Sequence, residues 1–443
     1  MRMTLAKESA QTLLFQVSAF VLNVITGMIV IRILGPESYG IVAVILIYPT
    51  LFYTLGHLTV GLGIIHHSGK QKYRVEEFAG SALLLAVLMG VFLYGVFLIT
   101  LPYLDAILYK GLQKFYLSIA MVLVPFYLIV YYFSSILQST LHIKEYNFVN
   151  QFSAFFTLPI ILLVALLWHI GVREIIFITV AIGMAAAAFA IYQVKRISRS
   201  SWKVSTGLIK DLLRDGGKVH LGAIATYMYS QINIVILNYY LEPSQVGYYV
   251  LANNLANLIL LLSVSVETSL YPRTSLETME NAAQLTAGAC RKVVLVTLLA
   301  ASMMGIMAHY LILLYAGEQF LSSTILLRIL LPGFVVFVIA KIVSVFWLRK
   351  GWFIQLTLMA GSAAIINLAL NLSLIPLLGI KGAALANMLT YLYTGILVVV
   401  LYSRYVEPKW WILFLPDKSD WLVYKDICFK SVATLKASLF QGR

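Results

Sequence analysis

Inside the long apolar runs of this chain, only a few side chains could hold a proton, a cation or an anionic group. Thr50, Thr54, His57 and Gly61 follow one another at steps of four, three and four residues. On a helix they share one face. Asn253, Asn257, Ser263 and Glu267 fall on a second broad face of the same kind. Asn233, Arg328 and Lys341 lie in other apolar runs, and Arg32 closes the first. A charged group in hydrocarbon costs on the order of 3 kcal/mol or more unless it lines a wet cavity or meets a partner. These residues are therefore the first candidates for function.

The elements that must position them are membrane helices. Of 443 residues, 61% are hydrophobic and 11% charged, with a mean hydropathy of +0.90. Soluble domains are about 45–50% apolar and about 25% charged, so a water-soluble fold is excluded. Windows of about 20 apolar residues predict twelve spans: 10–32, 41–65, 79–101, 114–138, 149–170, 174–194, 217–240, 247–270, 292–315, 322–348, 352–377 and 382–404. The first run exceeds the 7–15 residues or so of a signal-peptide core and is expected to stay as a helix. Cys290 and Cys428 form neither a disulfide framework nor a zinc pattern.

The net charge of +14 is distributed unevenly over the connections. Of 32 Lys and Arg residues, 25 fall on the side that holds both termini and five on the other; Arg328 and Lys341 lie within a span. The positive-inside rule then makes both termini cytoplasmic. The expected layout is an N-terminal lobe at 1–194, a basic linker at 195–216, a C-terminal lobe at 217–404 and a cytoplasmic tail at 405–443. The linker's basic residues suit anionic lipid, so membrane lipids are expected contacts and nucleic acid is not. The tail segment "DKSDWLVYKDICFKSVATLKASLF" has the makings of an interfacial amphipathic helix.

The chain also repeats itself. Pro36 and Gly40 of "RILGPESYG" reappear 207 residues later as Pro243 and Gly247 of "LEPSQVGYY". The same offset carries Pro125 to Pro332, and an offset of 208 carries Gly171 to Gly379 and Arg173 to Lys381. Three matches in order imply a duplicated six-helix unit. Six spans is an even number, so the halves share one orientation and should be related by a pseudo-twofold along the membrane normal. The predicted fold class is an all-α integral membrane protein, twelve helices in two parallel six-helix lobes, with a path between them. Pro125 and Pro332 predict paired bends. The offset also sets Thr50 against Asn257 and Val60 against Glu267.

"RILGPESYG", "EPSQVGYYVLANNLANL", "YPRTS" and "LSLIPLLGIKGAALANMLTYL" resemble the Wzx-type polysaccharide-biosynthesis flippases of the multidrug/oligosaccharidyl-lipid/polysaccharide exporter superfamily. The resemblance implies an inner-membrane transporter that is not an enzyme. It would move an undecaprenyl-pyrophosphate-linked oligosaccharide, such as an O-antigen or exopolysaccharide repeat unit, to the periplasmic leaflet by alternating access. It implies no cofactor, with proton or sodium coupling left open, and other polysaccharide assembly proteins as further partners. Many relatives carry an acid where this chain has Val60 and an aspartate where it has Asn233, so coupling tied to those acids does not carry over.

For such a substrate, cations and N–H groups hold pyrophosphate, while hydroxyls and amides hold sugar. His57 is either a phosphate contact or titrating switch, or a neutral histidine satisfied by a neighbouring helix. Glu267 is either a coupling-ion site or an interfacial group near Arg273. Lys341 either meets the pyrophosphate or snorkels. Asn233 and Asn253 either line the path or bond between helices. Arg328 reads better as an anchor. Arg32 reads as part of a periplasmic turn, since its repeat counterpart is Tyr239. The rival readings are a cation-coupled drug antiporter of the same superfamily and a membrane polysaccharide polymerase; the polymerase needs an extramembrane catalytic segment that no connection supplies.

Overall fold

The computed structural model describes residues 2–70, 72–104, 114–198 and 200–415; the tail helix expected beyond residue 416, and Lys110, lie outside them. Among the described residues there are helices and no strands. They are α1 (Arg2–Gly56), α2 (Val60–Gly69), α3 (Val75–Leu104), α4 (Lys114–Met121), α5 (Leu123–Ser139), α6 (Ile143–Leu167), α7 (Val172–Ile197) and α8 (Thr206–Tyr240). The second half holds α9 (Pro243–Asn257), α10 (Leu260–Leu276), α11 (Met279–Ile306), α12 (Ala308–Ala316), α13 (Ser323–Arg349), α14 (Phe353–Leu378) and α15 (Ile380–Tyr405).

By length and apolarity, nine helices among the described residues can cross a membrane, or ten if α9 and α10, bent by 40°, count as one span. The predicted twelve is reached only by adding two segments that this measure merges or omits. One is hidden in α1, which is two helices meeting at Gly35 (φ 68°, ψ 177°). Glycine takes that left-handed φ without a Cβ clash, and Pro36 then starts the next helix, where its missing N–H is not needed. The other is α8, whose first turns carry Lys210, Asp211, Arg214 and Asp215.

Lipid is the solvent for the outer faces. On α3, Leu84, Leu88, Val91, Phe92 and Ile99 are exposed while Phe78, Ala79, Ala82, Ala86 and Phe97 are buried, so apolar residues cover both sides. Packing of α13 on α15 inside the second lobe relies on small residues at close approaches: a Cβ on Gly395 would stand 2.7 Å from the Val336 carbonyl oxygen, and one on Gly333 2.9 Å from that of Met388.

Three expectations need adjustment. The basic connection is mostly helical, because α8 starts at Thr206, where the Ser205 side chain caps the Leu208 N–H (3.4 Å). Similarly α11 begins at Met279, thirteen residues before the predicted 292, with Thr278 capping Asn281 N–H (3.3 Å). The two prolines do not mark matching helix breaks. The first lobe breaks at Val122 between α4 and α5, whereas α13 continues through Pro332.

Candidate functional site: the seam between the lobes

The repeat glycines meet each other. A Cβ on Gly40 would lie 1.8 Å from the Pro243 carbonyl oxygen, and one on Gly247 would lie 2.2 Å from that of Pro36. Residue i of one repeat thus touches residue j of the other and the reverse also holds, the signature of a twofold contact. Only glycine permits this backbone approach. The contact closes the seam at one end, and Asn254 Nδ2 donates across it to the Tyr39 hydroxyl (3.2 Å). Arg32 stands at this end too, donating to the carbonyls of Leu314 and Tyr315 at the C-terminus of α12. Arg328 Nε donates to the Gly305 carbonyl (3.0 Å) in the last turn of α11. Both arginines answer the exposed carbonyls and negative dipole end of a helix.

Along the first lobe's side of the seam, Thr50 Oγ1 shares a hydrogen bond with the Tyr227 hydroxyl of α8 (2.6 Å). Thr54 is buried, its hydroxyl returned to the Thr50 carbonyl (2.8 Å). His57 marks a joint. The helix stops at Gly56 and resumes at Val60, and between them Leu58 (φ 45°) and Thr59 (φ 51°) are left-handed. Two such non-glycine residues in a row store strain that the surroundings must hold. The Thr59 N–H donates to His57 Nδ1 (2.9 Å), and the Tyr132 hydroxyl donates to the His57 carbonyl (3.1 Å). His220 Nε2 lies 3.0 Å from the Leu55 carbonyl, so in the neutral ring that nitrogen carries the proton. The rings of Tyr53, Tyr131 and His220 stand 5.1–5.3 Å from His57. A Cβ on Gly216 would lie 2.2 Å from the Leu58 carbonyl oxygen, so α8 presses its backbone into the joint.

The second lobe presents amides instead. Asn233 Nδ2 donates to the Tyr249 hydroxyl, to which Asn387 Nδ2 also donates (3.3 Å). Asn387 reaches Asn253 Oδ1 as well (3.2 Å). All four residues are buried and link α8, α9 and α15. Asn257, partly buried, returns its amide to the Asn253 carbonyl (2.9 Å). Farther down, Glu267 Oε2 on α10 meets Lys341 Nζ on α13 at 3.4 Å. Glu267 and Lys341 are thus partners of each other.

The end carrying Lys72, Arg349 and Arg404 can be called the basic end. There α8 is fastened to the first lobe. Asp211 accepts from Lys72 (2.8 Å) and from the Tyr73 hydroxyl (2.9 Å), and Asp215 lies 3.1 Å from His67 Nε2. The Lys72 hydrogen bond, and after it that of Tyr73, hold the Asp211 carboxyl down at about 2. Its later turns pack on α14 of the second lobe, so one helix of 35 residues bridges both. The main neighbours of α10 at this end, α11 and α13, are both in the second lobe. The seam is therefore shut at the glycine end, while at the basic end α10 packs on its own lobe and α8 joins the two.

Of the predicted residues, Thr50, Thr54 and His57 line one side of the seam, Asn233, Asn253 and Asn257 belong to the amide group of the other, and Glu267 joins Lys341. Arg32 and Arg328 are occupied at helix ends. His220 and Tyr227 were not anticipated, although their spacing of seven puts them on one face of α8.

A family model described as "Polysaccharide biosynthesis protein" matches residues 5–276. No curated protein is a significant match to the sequence. Among solved structures, an inward-facing multidrug resistance MATE family transporter of the MOP superfamily superposes with a TM-score of 0.75 at 14% identity, covering 88% of this chain and 95% of its own. The lipid II flippase MurJ in an inward closed conformation gives 0.74 at 14% identity, covering 97% and 98%. A MOP superfamily transporter from Pyrococcus furiosus gives 0.61 at 15% identity, covering 91% and 95%. At such identities these likenesses establish the fold. The chain belongs to the polysaccharide biosynthesis protein family and is built on the fold of the MOP superfamily transporters.

Proposed function

We propose that this protein moves an undecaprenyl-pyrophosphate-linked oligosaccharide from the cytoplasmic to the periplasmic leaflet of the inner membrane by alternating access. The observation that carries the reading is the seam, shut by backbone contact at Gly40 and Gly247 and flanked by polar groups from there towards the basic end. An amphiphile with a sugar-bearing headgroup needs such a route: hydroxyls and amides for the glycan, a cation for the phosphates, and hydrocarbon outside for the polyprenyl tail. The basic end is cytoplasmic in this reading, and the lobes are taken as 1–194 and 217–404. The better superposition on inward relatives (0.75 and 0.74) than on an outward-facing one (0.62) supports an inward conformation as the resting state.

A cationic-drug antiporter requires a carboxylate left for the drug. Glu267, the acid within α10, is already paired with Lys341. Complementation of a flippase-deficient strain tests the proposal. Restored surface glycan and disappearance of the accumulated lipid-linked intermediate are expected. Unchanged glycan together with gained drug resistance refutes it.

A further inference from the structure

Lys341 lies in the apolar run of α13, about 13 Å of helix rise from Lys350 at the basic end. A cation there needs a counter-charge whenever no substrate is bound. Glu267 supplies it at 3.4 Å, with the lysine side chain 34% exposed and the carboxylate 20% exposed. The pair is one-sided. Glu267 Oε1 is buried and has no hydrogen-bond partner, so the carboxylate is held through Oε2 alone. A carboxylate bonded through one oxygen gives up its lysine more easily than one with both oxygens satisfied.

Other charges close to α10 are placed differently. Arg349 on α13 donates to the carbonyls of Thr274 and Glu277, Arg291 on α11 donates to the Ile412 carbonyl (3.3 Å), and Arg273 lies on another face of α10. The helix before the bend, α9, brings amides and tyrosines but no ionised group.

We infer that Glu267 stands in for a diphosphate: it occupies Lys341 in the empty transporter, and the diphosphate headgroup of a polyprenyl lipid binds by displacing it. This rests on the flippase reading and names the residues that take the headgroup. A diphosphate carries more charge than one carboxylate and offers more acceptor oxygens, so it wins the lysine when present. When it leaves, Glu267 returns and spares the empty carrier an unpaired cation. The carboxylate thus weakens binding and speeds the return.

The test uses the full chain in nanodiscs and two probes, farnesyl diphosphate and inorganic pyrophosphate, with binding followed by calorimetry. Glu267→Gln should bind farnesyl diphosphate about two- to five-fold more tightly, the range expected for losing a part-exposed ion pair. In cells it should export glycan more slowly. Lys341→Gln should bind weakly, and adding Glu267→Gln to it should change nothing further, because the competitor's target is gone. Lys341→Arg should keep both the pair and the affinity. Pyrophosphate should rank the variants in the same order. Unchanged or weaker binding by Glu267→Gln, or the same gain with and without Lys341, overturns the inference. A ranking that appears only with the farnesyl chain also overturns it, since the lysine would then not read the headgroup. Failure to bind either probe in a chain that complements refutes the inference alone; binding without complementation refutes the flippase reading alone.

Discussion

The glycine contact makes a quantitative demand on the transport cycle. Replacing Gly40 by alanine puts a methyl carbon 1.8 Å from the Pro243 carbonyl oxygen, 2.8 Å from its carbon and 2.9 Å from the Gly247 nitrogen. All three are backbone atoms of a helix start, so no side-chain rotation relieves the clash. The lobes must separate at that end by an ångström or more, and overpacking of this kind costs typically 1–3 kcal/mol. The cost falls only on the conformation closed there. In a two-state carrier it therefore appears as a shift towards the state open at that end, by roughly 5- to 150-fold. A reporter cysteine at Asn257 lies ten residues inside Gly247, about 15 Å along the helix direction. With Cys290 and Cys428 replaced, its alkylation by an impermeant maleimide added outside cells should be slow in the parent and faster by that factor in Gly40→Ala. Gly247→Ala acts on the same contact from the other repeat (2.2 Å from the Pro36 oxygen) and should have a similar effect, with the double variant far short of additive. If Gly40→Ala inserts normally yet labels at the parental rate, the lobes do not close on this contact.

Four further outcomes follow from the same geometry. Tyr249→Phe strips the acceptor from buried Asn233 and one acceptor from Asn387, so thermal unfolding in detergent should show a loss of about 1–3 kcal/mol. Gly216→Ala drives a carbon to 2.2 Å from the Leu58 oxygen and should abolish export while leaving membrane insertion intact, read as surface glycan against protein level. Arg32→Gln removes the cation from the α12 carbonyls and should lower the unfolding temperature without lowering export per molecule. The Asp211 carboxyl titrates at about 2 in the folded chain, below its unfolded value of about 3.9. Its contribution is therefore complete above about 4 and lost only as pH falls towards 2. Amide exchange at 206–216, corrected for intrinsic rate, should be faster at pH 7 in Asp211→Asn than in the parent.

The helices and the duplication were legible in the sequence because both are written in local terms. Twenty apolar residues need a helix in lipid whatever their neighbours. Pro36, Gly40, Pro243 and Gly247 repeat because the backbones they serve touch. Which side of each helix meets another was not legible. In a soluble helix the buried face is the apolar one; here lipid-facing Leu88 and buried Ala86 look alike to any periodicity. The pairing of Glu267 with Lys341 was hidden for that reason: the offset of 207 placed Glu267 opposite Val60 of the other repeat, whereas its partner is on α13. The polar turns of α8 and α11 were missed for a different reason. They are held by caps and by docking, Asp211 and Asp215 on the first lobe for α8 and the Thr278 cap for α11, and not by apolar length.

The two repeats have kept their closure and diverged in their lining, and the physics of each explains the difference. Closure by a twofold contact is self-complementary: every change at Gly40 is felt at Pro243 and every change at Gly247 at Pro36, so the two copies constrain each other. Under the proposed function the lining has no such restraint, because a lipid-linked glycan has no twofold symmetry. One end of it is a charged diphosphate on a hydrocarbon tail and the other a neutral sugar. A symmetric pair of stripes would meet one end well and the other badly. In that proposal the first lobe's histidines and tyrosines around a strained joint, and the second lobe's amides with the Glu267–Lys341 pair, divide those tasks. Symmetry persists where the repeats meet each other and lapses in the polar lining between them.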